Sequence, residues 1–162
     1  MEALPDFRLH RPATLAEAVA ILAEVPGARP LAGGTDLIVN MRRGLVEAPT
    51  LVDLGEVAEL GTLEAGAAGL RIGAGVSLSA LAAEPRIARD YPAIAEAAAA
   101  VAGSTHRNAG TVGGNLCLDT RCIYYNQSDW WRRSNDFCLK YRGEVCHVAP
   151  KSKRCFAAYS GD

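Results

Sequence analysis

The sequence predicts an α+β fold in which a small βαβ subdomain precedes a mixed α/β subdomain and a cysteine-rich segment. Two observations support this prediction. Up to residue 103, short apolar stretches alternate with helical patterns, as expected of strands and helices that share a core. Beyond residue 116, all five cysteines fall between Cys117 and Cys155, in a stretch with little hydrophobic periodicity.

The first helix is marked at both ends. Thr14-Leu15-Ala16-Glu17 is a capping box, in which a hydroxyl and a carboxylate satisfy backbone N–H groups that the first helical turn leaves unpaired. The alanine- and leucine-rich pattern that follows predicts a helix to about Glu24, and Pro26-Gly27 ends it.

A βαβ unit is predicted after this helix. Residues 28–32 form a short apolar strand that leads into Gly33-Gly34-Thr35-Asp36, and helical spacing then continues to Gly44, which is placed as a C-cap. Residues 50–54 form a second strand, which we expect to lie parallel to the first because a helix connects them.

The mixed region begins with a hairpin. Residues 63–65 and 70–74 are its predicted strands, residues 77–83 are a helical turn, and residues 93–102 are a helix that Pro92 opens and Gly103 closes.

Two glycine-rich stretches are candidate ligand loops. Gly33-Gly34-Thr35-Asp36 precedes a helix, where unpaired N–H groups attract a pyrophosphate. Gly110-Thr111-Val112-Gly113-Gly114-Asn115 brings three glycines close together, so its backbone can approach a ligand closely and is expected to hold it through peptide N–H groups. We expect the two loops to clamp the halves of a dinucleotide, with anionic Asp36 capping or bracing its loop and not touching phosphate.

The cysteine-rich segment differs chemically from the rest. Between Arg121 and Cys155, eight basic residues face three acidic ones, a net charge of +5, whereas the whole chain carries −1. The candidate metal ligands are separated by fifteen, seven and eight residues without a CxxC pair, so a tetrathiolate site and idle buried thiols both remain open. They are Cys122, Cys138, Cys146 and Cys155.

Other residues of this segment receive assignments as well. Cys117 stands between two leucines, and we expect it to be packed and unligated. Basic side chains at Arg121, Arg132, Lys153 and Arg154 would offset the charge of a thiolate cluster. An alternative is a zinc-stabilised module in which Trp130-Trp131-Arg132-Arg133 contacts nucleic acid or protein. No catalytic residue or hydrolase motif is evident.

Composition restricts the compartment and the partners. The net charge of −1 argues against a surface devoted to nucleic acid. The first residues form no secretory signal, and the longest apolar run, residues 93–102, is too short to span a bilayer, so we expect a cytoplasmic protein. In a reducing compartment, five cysteines favour metal or redox use over disulfides.

Three stretches together resemble the FAD-binding domain of the molybdenum hydroxylases, of the xanthine dehydrogenase and carbon monoxide dehydrogenase medium-subunit type. They are Phe7 with residues 11–18, Leu31 to Leu37, and Arg107 to Leu116. The resemblance implies the fold of that domain, with a βαβ subdomain at residues 1–56 and the start of a second FAD-binding subdomain at 57–162. It also implies that the chain covers roughly the first half of the domain.

The resemblance assigns FAD to both glycine loops and to an aspartate that follows them. The implied FAD-binding residues are Arg29, Pro30, Leu31, Ala32, Gly33, Gly34, Thr35, Asp36, Thr111, Val112, Gly113, Gly114, Asn115 and Asp162. Residues 119–158 are then an insertion, here called the cysteine insertion, and it resembles that of the 4-hydroxybenzoyl-CoA reductase β subunits. By that resemblance, Cys122, Cys138, Cys146 and Cys155 hold a [4Fe-4S] cluster.

The implied activity is reductive dehydroxylation of 4-hydroxybenzoyl-CoA to benzoyl-CoA in anaerobic aromatic degradation. The chain's part would be electron transfer, from ferredoxin through the [4Fe-4S] cluster and FAD to partner subunits. Those partners would be a molybdenum-binding large subunit and a [2Fe-2S] small subunit, forming a heterotrimer that dimerises. Neither nucleic acid nor a membrane is an implied partner, and another molybdenum hydroxylase is the alternative assignment.

Overall fold

A computed structural model describes residues 3–66 and 69–158. Its first unit is a three-stranded parallel sheet of β1 (Arg8–His10), β2 (Ala28–Leu31) and β3 (Thr50–Asp53). The strand order is β1-β3-β2, with Arg8 and Ala28 both opposite Thr50, so β3 is central. The predicted parallel βαβ unit is confirmed, and β1 extends it.

Helix α1 (Leu15–Glu24) begins after the predicted N-cap residue Thr14, but the carboxylate half of the capping box binds one residue earlier than in the standard motif. Thr14 Oγ1 accepts a hydrogen bond from the Glu17 N–H at 3.2 Å, and Glu17 Oε2 accepts one from the Ala13 N–H at 2.9 Å. Helix α2 (Leu37–Arg42) is followed by Gly44 with φ +62°, the left-handed conformation that favours glycine after a helix. The start of α1 and the end of α2 therefore lie where local sequence chemistry predicts them.

The core of the first unit lies between α2 and the sheet. Leu51 is fully buried on β3 and packs with Met41 and Ala48, which Leu31 and Leu37 partly cover. Strand β1 was not predicted, because three residues, two of them exposed, are too few to show strand periodicity.

The second unit is a hairpin with short helices. The predicted antiparallel hairpin is confirmed as β4 (Leu63–Gly66) and β5 (Gly69–Ile72). The helices are α3 (Leu78–Ala83), α4 (Pro85–Asp90), α5 (Pro92–Ala100), α6 (Ser104–Ala109) and α7 (Val112–Leu116). Of these, α3 and α5 match the predictions, whereas α4, α6 and α7 were not predicted.

A separate core holds this second unit together. Leu78 and Leu81 of α3 and Ile87 of α4 are buried against Ala95 and Ala98 of α5. Small residues on α5 let the helices approach closely, which explains why an alanine-rich helix lies in a core.

The cysteine insertion is mostly turns, with one helix, α8 (Asp129–Ser134). Arg121 and Ala158 pair in an antiparallel bridge with N···O distances of 2.7 and 3.2 Å, so the insertion ends beside its own start. Tyr125 and Cys138 pack on Leu45, which follows α2, so the insertion contacts the first unit. Within the described ranges, no helix is long and apolar enough to cross a membrane.

Candidate functional site

The first glycine loop exposes consecutive backbone donors. Residues 33–36 join β2 to α2, and Gly34 has φ +69°, which a side chain would disfavour. Among residues 3–66 and 69–158, the N–H groups of residues 33–36 find no hydrogen-bond acceptor. Consecutive unpaired N–H groups form a concave surface for an anion, which fits the pyrophosphate of FAD.

The second glycine stretch lies directly against this loop. A Cβ on Gly33 would be 1.8 Å from the carbonyl oxygen of Ala109, so only glycine permits this contact. Gly110 lies beside Thr35, whose Oγ1 would be 3.7 Å from a Cβ added to Gly110. The two predicted ligand stretches are therefore brought together through backbone contact.

The second stretch does not offer the backbone donors that we expected from it. The Val112 N–H donates to the Val76 carbonyl at 2.9 Å, the Gly113 N–H to the Ala74 carbonyl at 2.8 Å, and the Gly114 N–H to Thr111 Oγ1 at 3.1 Å. These bonds order α7, where a loop was expected. Its glycines contribute close packing instead, since a Cβ on Gly113 would be 2.7 Å from Ala74 Cβ.

The remaining predicted FAD-binding residues lie around these loops or outside the described ranges. Arg29 and Pro30 are exposed on β2, an edge strand that tolerates proline, and Leu31 is half-buried. Ala32 connects β2 to the first loop, and Asn115 lies within α7. Asp162 lies outside the described residues.

Asp36 braces the first loop, as expected, but does not cap α2 with its side chain. Its Oδ2 accepts a hydrogen bond from Asn40 Nδ2 at 2.9 Å, and its Oδ1 pairs with the guanidinium of Arg121. Arg121 Nη1 also donates to Asn40 Oδ1 at 3.3 Å. This network attaches the start of the cysteine insertion to the first glycine loop, a link that no local sequence pattern could indicate.

The four cysteines predicted as ligands line one cavity. Cys138 and Cys146 are buried, Cys122 is half-buried and Cys155 is exposed. Leu139, Val148 and Ala157 supply apolar walls, and the polar side chains that line the cavity are Tyr124, Lys140 and His147. The fold thus gathers thiols whose spacing in the sequence matches no standard motif.

Backbone donors point at two of these sulfurs. N–H groups of Ala149, Phe156 and Val148 lower the pKa of the Cys146 thiol, against the opposing effect of burial. The Ala157 N–H donates to Cys155 Sγ at 3.3 Å. Such bonds stabilise thiolates, the form in which cysteine binds metals.

The basic side chains near the cavity are not all the ones that were expected to offset the charge of a thiolate cluster. Arg121 and Arg132 point at the two ends of α2, whereas Lys140 lines the cavity. Lys140 donates to Asp119 at 2.9 Å, and although burial raises the pKa of Asp119, hydrogen bonds from Lys140 and Thr120 leave it lowered. Lys153 is exposed beside the cavity-lining Cys155.

Two further expectations concern single residues and metal geometry. Cys117 was expected to be packed, and this was wrong, because it is exposed at the end of α7 beside Leu116, which is 77% exposed. Across the described parts of the chain, no three His, Cys, Asp or Glu side chains form a group suited to one metal ion. The four cysteines line one small cavity without forming such a group.

The joined glycine loops and the fold define the class of protein. Residues 5–152 match the family described as the FAD binding domain in molybdopterin dehydrogenase, and the chain belongs to this family. The match includes both glycine stretches and most of the cysteine insertion.

Particular relatives fall into two groups by the length of their alignment. The xanthine dehydrogenase FAD-binding subunit of Escherichia coli O157:H7 is 39% identical over 109 residues, 67% of this chain and 37% of that protein. The aldehyde oxidoreductase FAD-binding subunit PaoB of Escherichia coli K12 is 37% identical over 164 residues, 96% of this chain and 51% of that protein. The chain therefore spans about half, or less, of these relatives.

Solved structures show the same fold. Quinoline 2-oxidoreductase from Pseudomonas putida 86 superposes with a TM-score of 0.67 at 37% identity, over 70% of this chain and 40% of that one. Carbon monoxide dehydrogenase from Hydrogenophaga pseudoflava gives a TM-score of 0.68 at 32% identity, with the same coverage. The predicted fold class, the FAD-binding domain of the molybdenum hydroxylase type, is confirmed.

Proposed function

We propose that this chain is the FAD and iron-sulfur part of an electron-transfer subunit in a multisubunit molybdenum oxidoreductase. The observation that carries the proposal is the cavity lined by Cys122, Cys138, Cys146 and Cys155, attached to an FAD-binding fold. FAD, once bound, exchanges electrons singly or in pairs and so can connect a two-electron reaction to one-electron carriers.

The chain's own residues bind and orient these groups. The free N–H groups of residues 33–36 would receive the FAD pyrophosphate, and the glycines of residues 110–114 would allow close contact with the cofactor. The four thiolates would hold a [4Fe-4S] cluster, whose ligands need more space between them than those of one ion. Backbone N–H groups at Cys146 and Cys155 and the cation of Lys140 would offset the thiolate charge.

The proposed partner proteins rest on the family to which the chain belongs. We place the molybdenum site on a large subunit and [2Fe-2S] clusters on a small subunit of a heterotrimer. Ferredoxin is the proposed electron donor. Lys151, Lys153 and Arg154 support an acidic donor, since they are exposed near Cys155 and form no ion pair with any residue the structure describes.

Two reactions suit such a subunit. In the first, 4-hydroxybenzoyl-CoA takes two electrons and two protons and releases water to give benzoyl-CoA, with electrons entering through the cluster. In the second, an aldehyde and water give a carboxylic acid, two protons and two electrons, which leave through this subunit. The PaoB alignment favours the second reaction, because its coverage of 96% is large enough to include most of the cysteine insertion.

The metal content tests the proposal directly. Anaerobic purification of the natural assembly, followed by iron, acid-labile sulfide and zinc assays on the isolated subunit, is expected to give about four irons and four sulfides with one flavin. Zinc without sulfide would overturn the cluster and favour the zinc-stabilised binding module. Flavin without metal would also overturn the cluster and would mean that the cysteine insertion serves only as a docking element.

The substrate is tested separately on the assembled enzyme. Benzaldehyde with an artificial acceptor tests aldehyde oxidation, and 4-hydroxybenzoyl-CoA with reduced ferredoxin tests dehydroxylation. Formation of benzoate alone would support the aldehyde reaction, and formation of benzoyl-CoA alone would support the reductase. If neither product forms, both substrate proposals fail while the cofactor proposal stands on its own assay.

A further inference from the structure

Helix α2 is held at both ends by the cysteine insertion. At its start, Arg121 contacts Asp36 and donates to Asn40. At its end, Arg132 Nη2 donates to the Gly44 carbonyl at 2.9 Å. The helix follows the first glycine loop directly, so the insertion touches the element that positions this loop.

The contact between Arg121 and Asp36 is shielded from water mainly on the arginine side. The Arg121 side chain is 11% exposed and Asn40 is buried, whereas the Asp36 side chain is 41% exposed. Both carboxylate oxygens of Asp36 accept hydrogen bonds, one from Arg121 and one from Asn40. Because Arg121 contacts the carboxylate directly, its positive charge partly cancels the negative charge of Asp36, and solvent screens the exposed side of the pair.

This cancellation matters because Asp36 lies in the loop that offers its N–H groups to an anion. An unpaired carboxylate at that point would repel a pyrophosphate, and the free N–H groups of residues 33–36 carry only partial charges. A cation for Asp36 is therefore needed from elsewhere. The chain supplies it from position 121, one residue before Cys122.

We propose that Arg121 is a positioning residue for FAD, which acts through Asp36 to make the loop of residues 33–36 receptive to the pyrophosphate. This inference rests on the assignment of FAD to that loop. It gives the cysteine insertion a role in flavin binding that is separate from electron transfer. It does not depend on whether the four cysteines bind a metal.

The test uses FAD titrations of the deflavinated natural assembly, followed by flavin fluorescence. Arg121→Gln is expected to raise the Kd for FAD about tenfold or more, because Asp36 is then an uncompensated charge. Asp36→Asn added to Arg121→Gln is expected to restore the Kd to within about threefold of wild type, since no charge is left to neutralise. A double variant that binds FAD no better than Arg121→Gln would show a purely structural role and overturn the proposal.

Two further variants cover the case in which Arg121→Gln does not fold. Asp36→Asn alone leaves Arg121 positive beside the loop, and FAD affinity is expected to stay the same or increase. A Kd raised about tenfold in Asp36→Asn, with the unfolding temperature unchanged, would also contradict the proposal. Arg133→Gln is the matched control, since Arg133 is 72% exposed and pairs with Asp129 on α8.

A failed assignment of the FAD site gives a different result. Gly33→Ala should abolish FAD binding if the loop of residues 33–36 holds the cofactor. If Gly33→Ala binds FAD normally, the site itself is wrong. If Gly33→Ala loses FAD while Arg121→Gln binds it normally, only the role of Arg121 is wrong.

Discussion

The α-carbon of Gly33 faces the carbonyl oxygen of Ala109 so closely that a methyl group on Gly33 would lie 1.8 Å from that oxygen. This contact joins the two glycine stretches, although they are far apart in the sequence. The neighbouring atoms belong to the backbone, so they cannot move aside as the end of a side chain could. The position of each loop therefore depends on the absence of a side chain at residue 33.

Gly33→Ala is expected to separate the loops and abolish FAD binding. The clash should also lower the free energy of unfolding by about 1–3 kcal/mol, as overpacking does in a close-packed site. FAD titration and urea unfolding measure the two effects. Gly61→Ala is the control, because a Cβ at Gly61 meets nothing within 4 Å. Normal FAD binding by Gly33→Ala would show that this loop does not hold FAD, and an unchanged free energy of unfolding would refute the loop contact.

If the proposed [4Fe-4S] cluster is present, Cys138→Ala is expected to remove it while FAD still binds at saturating concentration. Cys138 lines the cavity and is buried, so no other thiol can take its place without moving the chain. Iron and acid-labile sulfide assays, together with the flavin absorbance, give both contents in one sample. Full iron content in Cys138→Ala would exclude this residue as a ligand.

Cys117→Ala is the matched control for the cysteine variants. Cys117 is exposed and does not line the cavity. Its removal should leave iron, sulfide and flavin unchanged. A loss of iron in Cys117→Ala comparable to that in Cys138→Ala would show that the cavity does not define the metal site.

Among the residues that the structure describes, Arg132 is the largest side chain that is fully buried, and its replacement should loosen the cysteine insertion. Its guanidinium lies 4.9 Å from the ring centroid of Tyr141 and donates to the Gly44 carbonyl. Arg132→Met is expected to lower the free energy of unfolding by about 2 kcal/mol, since the lost cation–π contact and charged hydrogen bond outweigh the relief of burying a charge. Nε and Nη1 of Arg132 have no hydrogen-bond partner within the described ranges. Burying them costs free energy in the wild-type protein, and Arg132→Met removes that cost, so the expected loss of stability is moderate.

Tryptophan fluorescence measures this effect, because both tryptophans of the chain, Trp130 and Trp131, lie on α8. Arg133→Met on the same helix is the control, and its unfolding free energy should change by less than about 0.5 kcal/mol because the side chain is exposed. Equal losses in both variants would mean that the buried contacts of Arg132 add nothing specific.

Local chemistry made much of the first unit predictable. The Thr14 N-cap of α1, Gly44 after α2 and the strands at residues 28–31 and 50–53 depend on neighbours in sequence, and all are confirmed. Strand β1 was missed because its structure comes from pairing with β3, more than forty positions away along the chain. Sequence periodicity contains no information on such a contact when the strand is three residues long.

The candidate site was predictable in composition but not in arrangement. The four cysteines could be identified as candidates by residue type. Their common cavity, however, results from turns that include Asp136, Phe137 and Arg142 at positive φ. Nothing in the local sequence predicts a positive φ at these residues. The donors at residues 112–114 were wrongly expected to be free, because their acceptors lie on residues 74–76 and at Thr111. The partner of Asp36 was likewise invisible, since Arg121 is 85 positions away.

The exposed cations beside Cys155 give a prediction on electron transfer. Replacing Lys151, Lys153 and Arg154 together with glutamine is expected to slow electron exchange with an acidic ferredoxin about tenfold at low ionic strength, because steering by opposite charge is lost. The difference should shrink at about 0.5 M salt, where charges on the two proteins are screened. Stopped-flow mixing at several salt concentrations measures this rate.

Arg71→Gln is the control for that triple variant, since Arg71 is exposed on β5, outside the cysteine insertion. It removes a single positive charge, so it distinguishes a general change of net charge from the loss of a local patch. Iron and flavin contents must match wild type in both variants, which limits the effect to encounter with the donor. A triple variant whose rate equals that of wild type at every salt concentration would mean that the donor docks elsewhere. A slow rate that salt does not alter would mean that these side chains contact the bound donor and do not steer its approach.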